Sequence, residues 1–388
     1  MFKILMLNRI ASEGLGRLPQ ERYEVASEFP QPDAILVRSQ DMHDMDVPES
    51  LLAVGRAGAG VNNIPIDALA QNGIPVFNAP GANANAVKEL VLAGLLMAAR
   101  NLGPAWNYVR ELDGQDKDLK KKVEDGKKRF VGGELPGRTL GVLGLGAVGV
   151  KVANAALALG MEVLGFDPAM TVENAWQLSS GVKKVASPGE LFARSDAVTL
   201  HVPLIEATRG MVNAERLALL KPNGVLLNFA RGEIVDEKAA LDALAEGRLG
   251  TYVTDFPTLG LKDHPQVVAL PHLGASTKEA EANCAIMAVD QLMDYLENGT
   301  IRNAVNFPSA ELPPTRGHRL SVINRNVPNM VGQVSSCLGE HGHNIRDLLN
   351  QSKGDVGYTL VDVESEVDKK TLDKVRAIEG VLKVRRLS

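Results

Sequence analysis

Thr139-Leu-Gly-Val-Leu-Gly-Leu-Gly-Ala-Val-Gly149 is the stretch from which the fold can be read. An apolar run of strand character enters Gly144, Gly146 and Gly149, and residues 150–159 then carry helical periodicity up to a stop at Gly160. In such a turn Gly144 permits the tight bend, Gly146 lets backbone approach a pyrophosphate, and Gly149 lets the helix pack closely on its strand. The helix start adds free N–H groups and the positive end of the helix dipole. A second strand, residues 161–166, ends at Asp167, eighteen residues after Gly149, about where an acid should accept hydrogen bonds from a ribose 2′-hydroxyl. Pro168-Ala-Met170 follows, with no arginine to receive a 2′-phosphate. A lone GxGxxG is weak evidence, but here strand, turn, helix, second strand and terminal acid occur in order. The expectation is a dinucleotide site selective for NAD over NADP.

Upstream, short apolar strands at residues 34–37, 52–55 and 74–77 alternate with helical segments such as 66–71. Alternation of this kind predicts a parallel sheet covered by helices. Polar residues cluster just after the strands, at Arg38 and Ser39, at 56–63 and at 78–85. Carboxyl ends of strands carry the ligands in open α/β sheets, so these loops are candidates for the substrate side of a cleft. A long helix over 87–101 leads on to residues 106–130, where Lys117, Lys120, Lys121, Lys122, Lys127, Lys128 and Arg129 mingle with acids. That segment reads as a solvated helical face, or as a positive rim that attracts an anionic substrate.

Downstream, strands at 197–201, 225–228, 250–254 and 267–270 alternate with helices at 213–220 and 236–245, which makes the second sheet doubly wound. Residues 277–296 form a long helix that could return to the first domain, and 301–314, with three prolines, read as a linker. From residue 316 the order becomes βαββαβ, the ferredoxin-like split unit. The fold class is therefore α/β, with two doubly wound parallel-sheet domains and a third, separate ferredoxin-like domain. The expected boundaries are 1–100 with 277–310 for a discontinuous substrate-binding domain, 101–276 for the NAD-binding domain, and 316–388 for the third.

A chain of 388 residues has room for two or three cores. Its net charge of −5 and pI near 5.9 argue against a general nucleic-acid binder. Cys284 and Cys337 fall in different expected domains, so a disulfide framework is not expected and a reducing compartment is. The first residues read as a strand rather than a signal peptide. No run of roughly 18 apolar residues is available to cross a bilayer; the nearest, 86–99, is broken by Lys88 and Glu89. A cytoplasmic protein without a membrane partner or a metal is expected.

Two further segments carry chemistry. Asn228-Phe-Ala-Arg-Gly232 places Arg231 just after a strand, and Pro271-His-Leu-Gly-Ala-Ser-Thr277 does the same for His272. Arginine binds a carboxylate bidentately, and histidine moves a proton near neutral pH. Beside an NAD turn, the pair suits oxidation of a 2-hydroxy acid.

With these segments, Asp255-Phe-Pro257 and the hinge-like stretch 78–90, the sequence resembles the D-isomer-specific 2-hydroxyacid dehydrogenases over nearly its whole length. Residues 319–388 look like an ACT domain, a small regulatory module, which points to the branch that oxidises 3-phosphoglycerate to 3-phosphohydroxypyruvate on the way to L-serine. The resemblance implies that Arg231 holds the substrate carboxylate and that His272 takes the hydroxyl proton. It assigns Arg38, Ser39 and Asn83 to substrate, and Ala147, Val148, Asp167, Ala230 and Asp255 to cofactor, with His201, Val202 and Pro203 along the same strand edge. Asn326 and Asn344 match effector positions, which implies L-serine as a regulator, and a homodimer or homotetramer follows from the same likeness. A dehydrogenase for another D-2-hydroxy acid, and an NAD(H)-sensing protein like the family's corepressor branch, are the alternatives.

One departure stands out. The family normally places a glutamate a few residues after the segment equivalent to Asp255-Phe-Pro257, where it orients the histidine. Here the chain reads Thr258-Leu-Gly-Leu-Lys-Asp263. Asp263 is the nearest acid, and it either replaces that glutamate or merely caps the turn.

Overall fold

The computed structural model describes residues 1–315 and 317–387; Arg316 and Ser388, at the expected ends of the third domain, lie outside them. The chain forms two compact units, residues 1–83 with 278–388, and residues 84–277.

The first unit opens with β1 (Phe2–Leu7), β2 (Tyr23–Ala26), β3 (Ala34–Val37), β4 (Ala53–Arg56) and β5 (Val76–Phe77). They form a parallel sheet in the order β2-β1-β3-β4-β5. β3 is buried at every residue, as its unbroken apolar run requires when both faces of a parallel sheet are covered. The chain order reverses between β1 and β3, the kind of position at whose carboxyl edge ligands bind. The helix Lys278–Asn298 lies over this sheet, burying Ala280, Cys284, Ala288, Leu292 and Tyr295 at the three-to-four-residue spacing of one helical face.

The second unit holds β6 (Thr139–Leu143), β7 (Glu162–Phe166), β8 (Lys183–Lys184), β9 (Ala197–Leu200), β10 (Gly224–Asn228), β11 (Leu249–Thr254) and β12 (Val267–Ala269). All pair in parallel in the order β12-β11-β10-β9-β6-β7-β8, a dinucleotide-type sheet extended by one strand. Helix Ala84–Ala99 packs on helix Ala147–Ala158 and on β10 and β11. Its Val87, Val91 and Leu95 share a core with Val142, Leu227 and Val253. The compact units accordingly divide ahead of this helix, whereas the sequence reading put it with the first domain.

Residues 301–310 are packed rather than a loose linker. Ile301, Phe307 and Ala310 are buried, and Ile301 and Ala310 exchange backbone hydrogen bonds of 2.8 and 3.0 Å. Asn306 is buried too: its Oδ1 accepts from Val76 N at 2.8 Å and its Nδ2 donates to Ile74 O at 2.9 Å. Apolar side chains at alternate points outweigh the prolines in deciding where this segment lies.

β13 (His318–Arg325), β14 (Ile345–Lys353), β15 (Val356–Val363) and β16 (Val381–Arg386) then build an antiparallel sheet in the order β14-β15-β13-β16. Helices Met330–Glu340 and Lys369–Arg376 complete the ferredoxin-like unit and share its core. The sequence reading set this module apart, but its other sheet face is docked inside the first unit. Ile323, Tyr358 and Leu360 join a core with Phe77, Tyr295 and Phe307, and the Tyr358 hydroxyl donates to Gly299 O at 2.6 Å. β15 is buried at every residue as a result. A buried bidentate pair, Arg319 Nε to Asp362 Oδ1 at 2.7 Å and Nη2 to Oδ2 at 2.8 Å, fastens the start of the module. Removing one partner of such a pair costs about 3–5 kcal/mol.

Candidate active site

The glycine turn follows β6 directly. Gly144 has φ +93°, in the left-handed region, and a Cβ there would meet His201 O at 2.5 Å. At Gly149 a Cβ would sit 1.9 Å from Gly144 O, so only glycine lets the helix close on the turn. Gly146 is different, since a Cβ there would meet nothing within 4 Å. Space is open on that side of the turn, and no side chain caps the helix that starts at Ala147. Ala147, Val148 and Gly149 thus present helix-start backbone to that space, as an anion site requires. Asp167, at the end of β7, accepts from Leu145 N at 2.8 Å through Oδ2 and from Ala169 N at 2.8 Å through Oδ1. Its carboxylate is held against the turn with lone pairs to spare.

His201, Val202 and Pro203 follow β9. The His201 Nε2 lies 2.9 Å from Thr199 Oγ1, and burial pushes its pKa down to about 3. The ring is therefore neutral, and it belongs to the scaffold behind Gly144. Pro203 O accepts from Thr208 Oγ1 at 2.6 Å.

β10 ends at Asn228, which is fully buried. Its Oδ1 accepts from Ala230 N at 3.1 Å and its Nδ2 donates to Arg231 O at 2.9 Å, so one amide fixes the backbone on both sides of the bend. The Arg231 Nη1 donates to Ala230 O at 2.6 Å. No acid pairs with Arg231 among the described residues, and its remaining donors suit a planar carboxylate.

β11 delivers Asp255, only 1% exposed. Its Oδ2 accepts from Leu273 N at 3.1 Å and Gly274 N at 3.3 Å, while its buried Oδ1 has no partner among the described residues. Desolvation raises its pKa, opposed by the nearby His272 and by the two backbone N–H groups. The His272 ring is exposed and stands 4.9 Å from that of Phe256, centroid to centroid. A cavity of about 390 Å³ opens beside Phe256, lined also by Gly232, Pro257, Thr258 and Leu261.

Asp263 does not join this group. Its side chain is 80% exposed and pairs with Lys262 Nζ at 2.7 Å. The loop is pinned elsewhere, by Thr258 Oγ1 donating to Glu237 Oε1 at 2.8 Å and by the buried Leu261. The lysine-rich segment also spends charge locally, through Lys122 with Asp113 and Lys127 with Glu124.

The remaining candidates lie in the first unit. Arg38, just after β3, is paired with Glu281 at 2.8 Å. Ser39 donates its backbone N–H to Asn8 Oδ1 at 3.2 Å, and Asn83 is the last residue before the second unit. Asn326 follows the end of β13 at which Arg325 pairs with Val356, whereas Asn344 precedes β14 at the other end, where Ile345 pairs with Val363. Eight residues of strand, at roughly 3.3 Å each, separate those ends. One small ligand cannot touch both asparagines of a single chain. Asn228 and Thr199 carry weight that the sequence reading missed; the only available signal was a polar residue inside or ending an apolar strand.

Open space at Gly146, an uncapped helix start and the unpartnered Asp255 Oδ1 together fit a dinucleotide with a polar amide at its far end. The family description "D-isomer specific 2-hydroxyacid dehydrogenase, NAD binding domain" matches residues 92–274. D-3-phosphoglycerate dehydrogenase of Escherichia coli strain K12 is 34% identical over 364 residues, covering 88% of this chain and 83% of that protein. The Bacillus subtilis strain 168 protein of that name is 32% identical over 403 residues, covering 99% and 71%. The crystal structure of an NAD+-bound 3-phosphoglycerate dehydrogenase from Entamoeba histolytica superposes with a TM-score of 0.61 and 27% identity, over 78% of this chain and 98% of that one. With relatives this similar over most of its length, the chain belongs to the D-isomer specific 2-hydroxyacid dehydrogenase family.

Proposed function

We propose that this chain oxidises 3-phospho-D-glycerate to 3-phosphohydroxypyruvate with NAD, the first step towards L-serine. The observation that carries the reading is the buried Asp255, with one spare oxygen, interacting with an exposed histidine on the carboxyl edge of an NAD-type sheet. Arg231, free of acid partners, binds the substrate carboxylate through its planar fork and draws electron density from the C2 oxygen. His272 in its neutral form accepts the proton of the C2 hydroxyl at a ring nitrogen as the C2–H bond gives up its electron pair. The hydride acceptor would be supplied by NAD, which these residues would hold. As His272 becomes cationic, the Asp255 carboxylate stabilises it, and Oδ1 remains available to the carboxamide of the nicotinamide. Asp167 would accept hydrogen bonds from the ribose hydroxyls, the backbone at Gly146, Ala147 and Val148 would hold the pyrophosphate, and Val202, Pro203 and Ala230 would form the rim. Arg38, Ser39 and Asn83 are assigned to the rest of the substrate.

Regulation by L-serine would require two copies of the chain, because Asn326 and Asn344 stand at opposite ends of one sheet. β14 is an edge strand, and antiparallel pairing with a second copy would bring one protomer's Asn326 end towards the partner's Asn344. A homodimer or a tetramer built from it follows. No described helix is long and apolar enough to cross a membrane, and two unpaired cysteines suit a reducing cytoplasm.

NADH formation by the purified full chain across a panel of D-2-hydroxy acids tests the reading. 3-Phosphoglycerate should give the highest kcat/KM, and NAD should exceed NADP by at least about tenfold, or 1.4 kcal/mol. A higher kcat/KM for an unphosphorylated acid would transfer the assignment to that substrate, and no turnover with any would remove it.

A further inference from the structure

Arg38 differs from Arg231 in already having an acid partner. Its Nη2 donates to Glu281 Oε1 at 2.8 Å, while its Nε and Nη1 have no partner among the described residues. The two side chains are 35% and 40% exposed, and a pair so open to water adds little to stability. Its geometry is better defined than its energy. Glu281 stands in the first turn of helix Lys278–Asn298, whose Cys284, Ala288 and Leu292 share a core with Ala34 and Leu36 of β3 and Ala53 of β4. At the far end, where a helix leaves carbonyls without partners, Arg385 Nη2 donates to Leu296 O at 2.7 Å and the Tyr358 hydroxyl to Gly299 O at 2.6 Å. Packed along one face and capped at its end, the helix cannot turn about its axis without losing both. Arg38, by contrast, sits just past the end of β3 on a long, flexible stem. The acid is fixed and the base is free to wander, so the bond between them orients the base.

We propose that Glu281 is a positioning residue that holds the Arg38 guanidinium for the substrate's phosphate, and so sets the preference for a phosphorylated over an unphosphorylated 2-hydroxy acid. With Arg231 on the carboxylate and His272 on the C2 hydroxyl, the part of 3-phosphoglycerate left for Arg38 is its phosphate. A guanidinium has five N–H donors in one plane. Glu281 takes one of them and leaves the rest of the fork to a second anion. Holding the stem before substrate arrives removes an ordering cost from binding. This role presupposes 3-phosphoglycerate as the substrate.

Steady-state kinetics of the full chain with 3-phosphoglycerate, and with D-glycerate as substrate or competitor, test the proposal. Glu281→Gln keeps an oxygen for Arg38 and Glu281→Ala does not, while both lose the same charge at the helix start. Their ratio isolates the bond. KM for 3-phosphoglycerate should be about fivefold higher in Glu281→Ala than in Glu281→Gln, the worth of freeing one long side chain. The two variants should share one kcat and one constant for D-glycerate, and the difference in KM should vanish in an Arg38→Ala background. An equal Tm in the two variants checks that both fold. The proposal is overturned by equal KM values, by a difference that appears in kcat instead, by a matching change with D-glycerate, or by a difference that persists without Arg38. A wild-type chain that prefers D-glycerate removes the phosphoglycerate reading and this role together. A wild-type preference for the phosphorylated acid, with equal KM in the two variants, removes the role of Glu281 alone.

Discussion

The end of β11 and the loop that follows it each contain an aspartate, and they differ in every property that matters for catalysis. Asp255 is buried, bonded to two backbone N–H groups and electrostatically linked to His272. Asp263 is exposed and spent on Lys262. In water a carboxylate acts on a neighbouring imidazole through a high dielectric, whereas a buried one acts at several times the strength. The lesson is that a missing family glutamate need not be replaced from the loop that lost it. Strand ends rigidly hold what loops only approach.

The severest way to break the comparison is to remove what Asp255 acts upon. His272→Ala should lower kcat by about 10² to 10⁴-fold, the usual worth of general acid–base catalysis. Steady-state kinetics at saturating NAD and substrate measure it, and a loss below tenfold would dissociate both acids from the chemistry.

Asp255→Asn comes next, with an expected loss in kcat of tenfold or more, about 1.4 kcal/mol. Without the carboxylate the imidazolium that forms as the hydroxyl proton is taken is less stabilised, which is the source of that loss. Stability should move the other way. Burial raises the Asp255 pKa, so the native state binds this proton more readily than the unfolded chain. Stability therefore falls as pH rises from the ordinary carboxylate value through the raised one, and stays reduced above it. At neutral pH the variant should melt higher than the wild type. Loss of both activity and stability would make Asp255 a structural residue only.

A third strand end sharpens the role of burial. His201 is held neutral with a pKa of about 3, while in the unfolded chain it would titrate near 6.5. Between those values the unfolded state binds the extra proton, so stability drops as pH falls below about 6.5, by up to roughly 1.4 kcal/mol per pH unit. His201→Gln, which can keep a hydrogen bond to Thr199, should flatten the fall in Tm between pH 7 and 5. Equal slopes in the two proteins would show that other groups set the acid limb.

What the sequence made legible follows the range of the interactions. The three glycines and Asp167 act within one turn and its neighbouring strand, and their roles could be read from order alone. β2 and β8 escaped notice because they are short edge strands, and β8 is only two exposed lysines. Asn228 was legible as part of a motif but not as a buried lock, since its Nδ2 also faces the Tyr252 hydroxyl at 3.4 Å, 24 residues away. Docking of the C-terminal sheet was invisible for a similar reason. Tyr358 and Leu360 read as ordinary alternate strand positions, and only the three-dimensional position of Tyr295 and Phe307 shows that both faces of β15 are covered.

The smallest expected effect is the one that closes the comparison. Asp263→Asn removes a carboxylate whose visible partner is the neighbouring Lys262, and an exposed pair of that kind is worth about 0–1 kcal/mol. Leu261 stays buried and Thr258 keeps its bond to Glu237, so the loop has no reason to move. kcat should stay within about twofold of wild type, since 0.4 kcal/mol is already a factor of two, and the pH profile should not shift. Loops do close when substrate binds, so the measurement belongs on the turning-over enzyme rather than on binding alone. A tenfold fall in kcat with a downward pH shift would mean that Asp263 leaves Lys262 for His272 during turnover. In that case the combined loss in the Asp255→Asn, Asp263→Asn double variant would depart from the sum of the two single losses, as coupled neighbours do. Additive behaviour with a silent Asp263→Asn leaves Asp255 as the one carboxylate acting on the histidine.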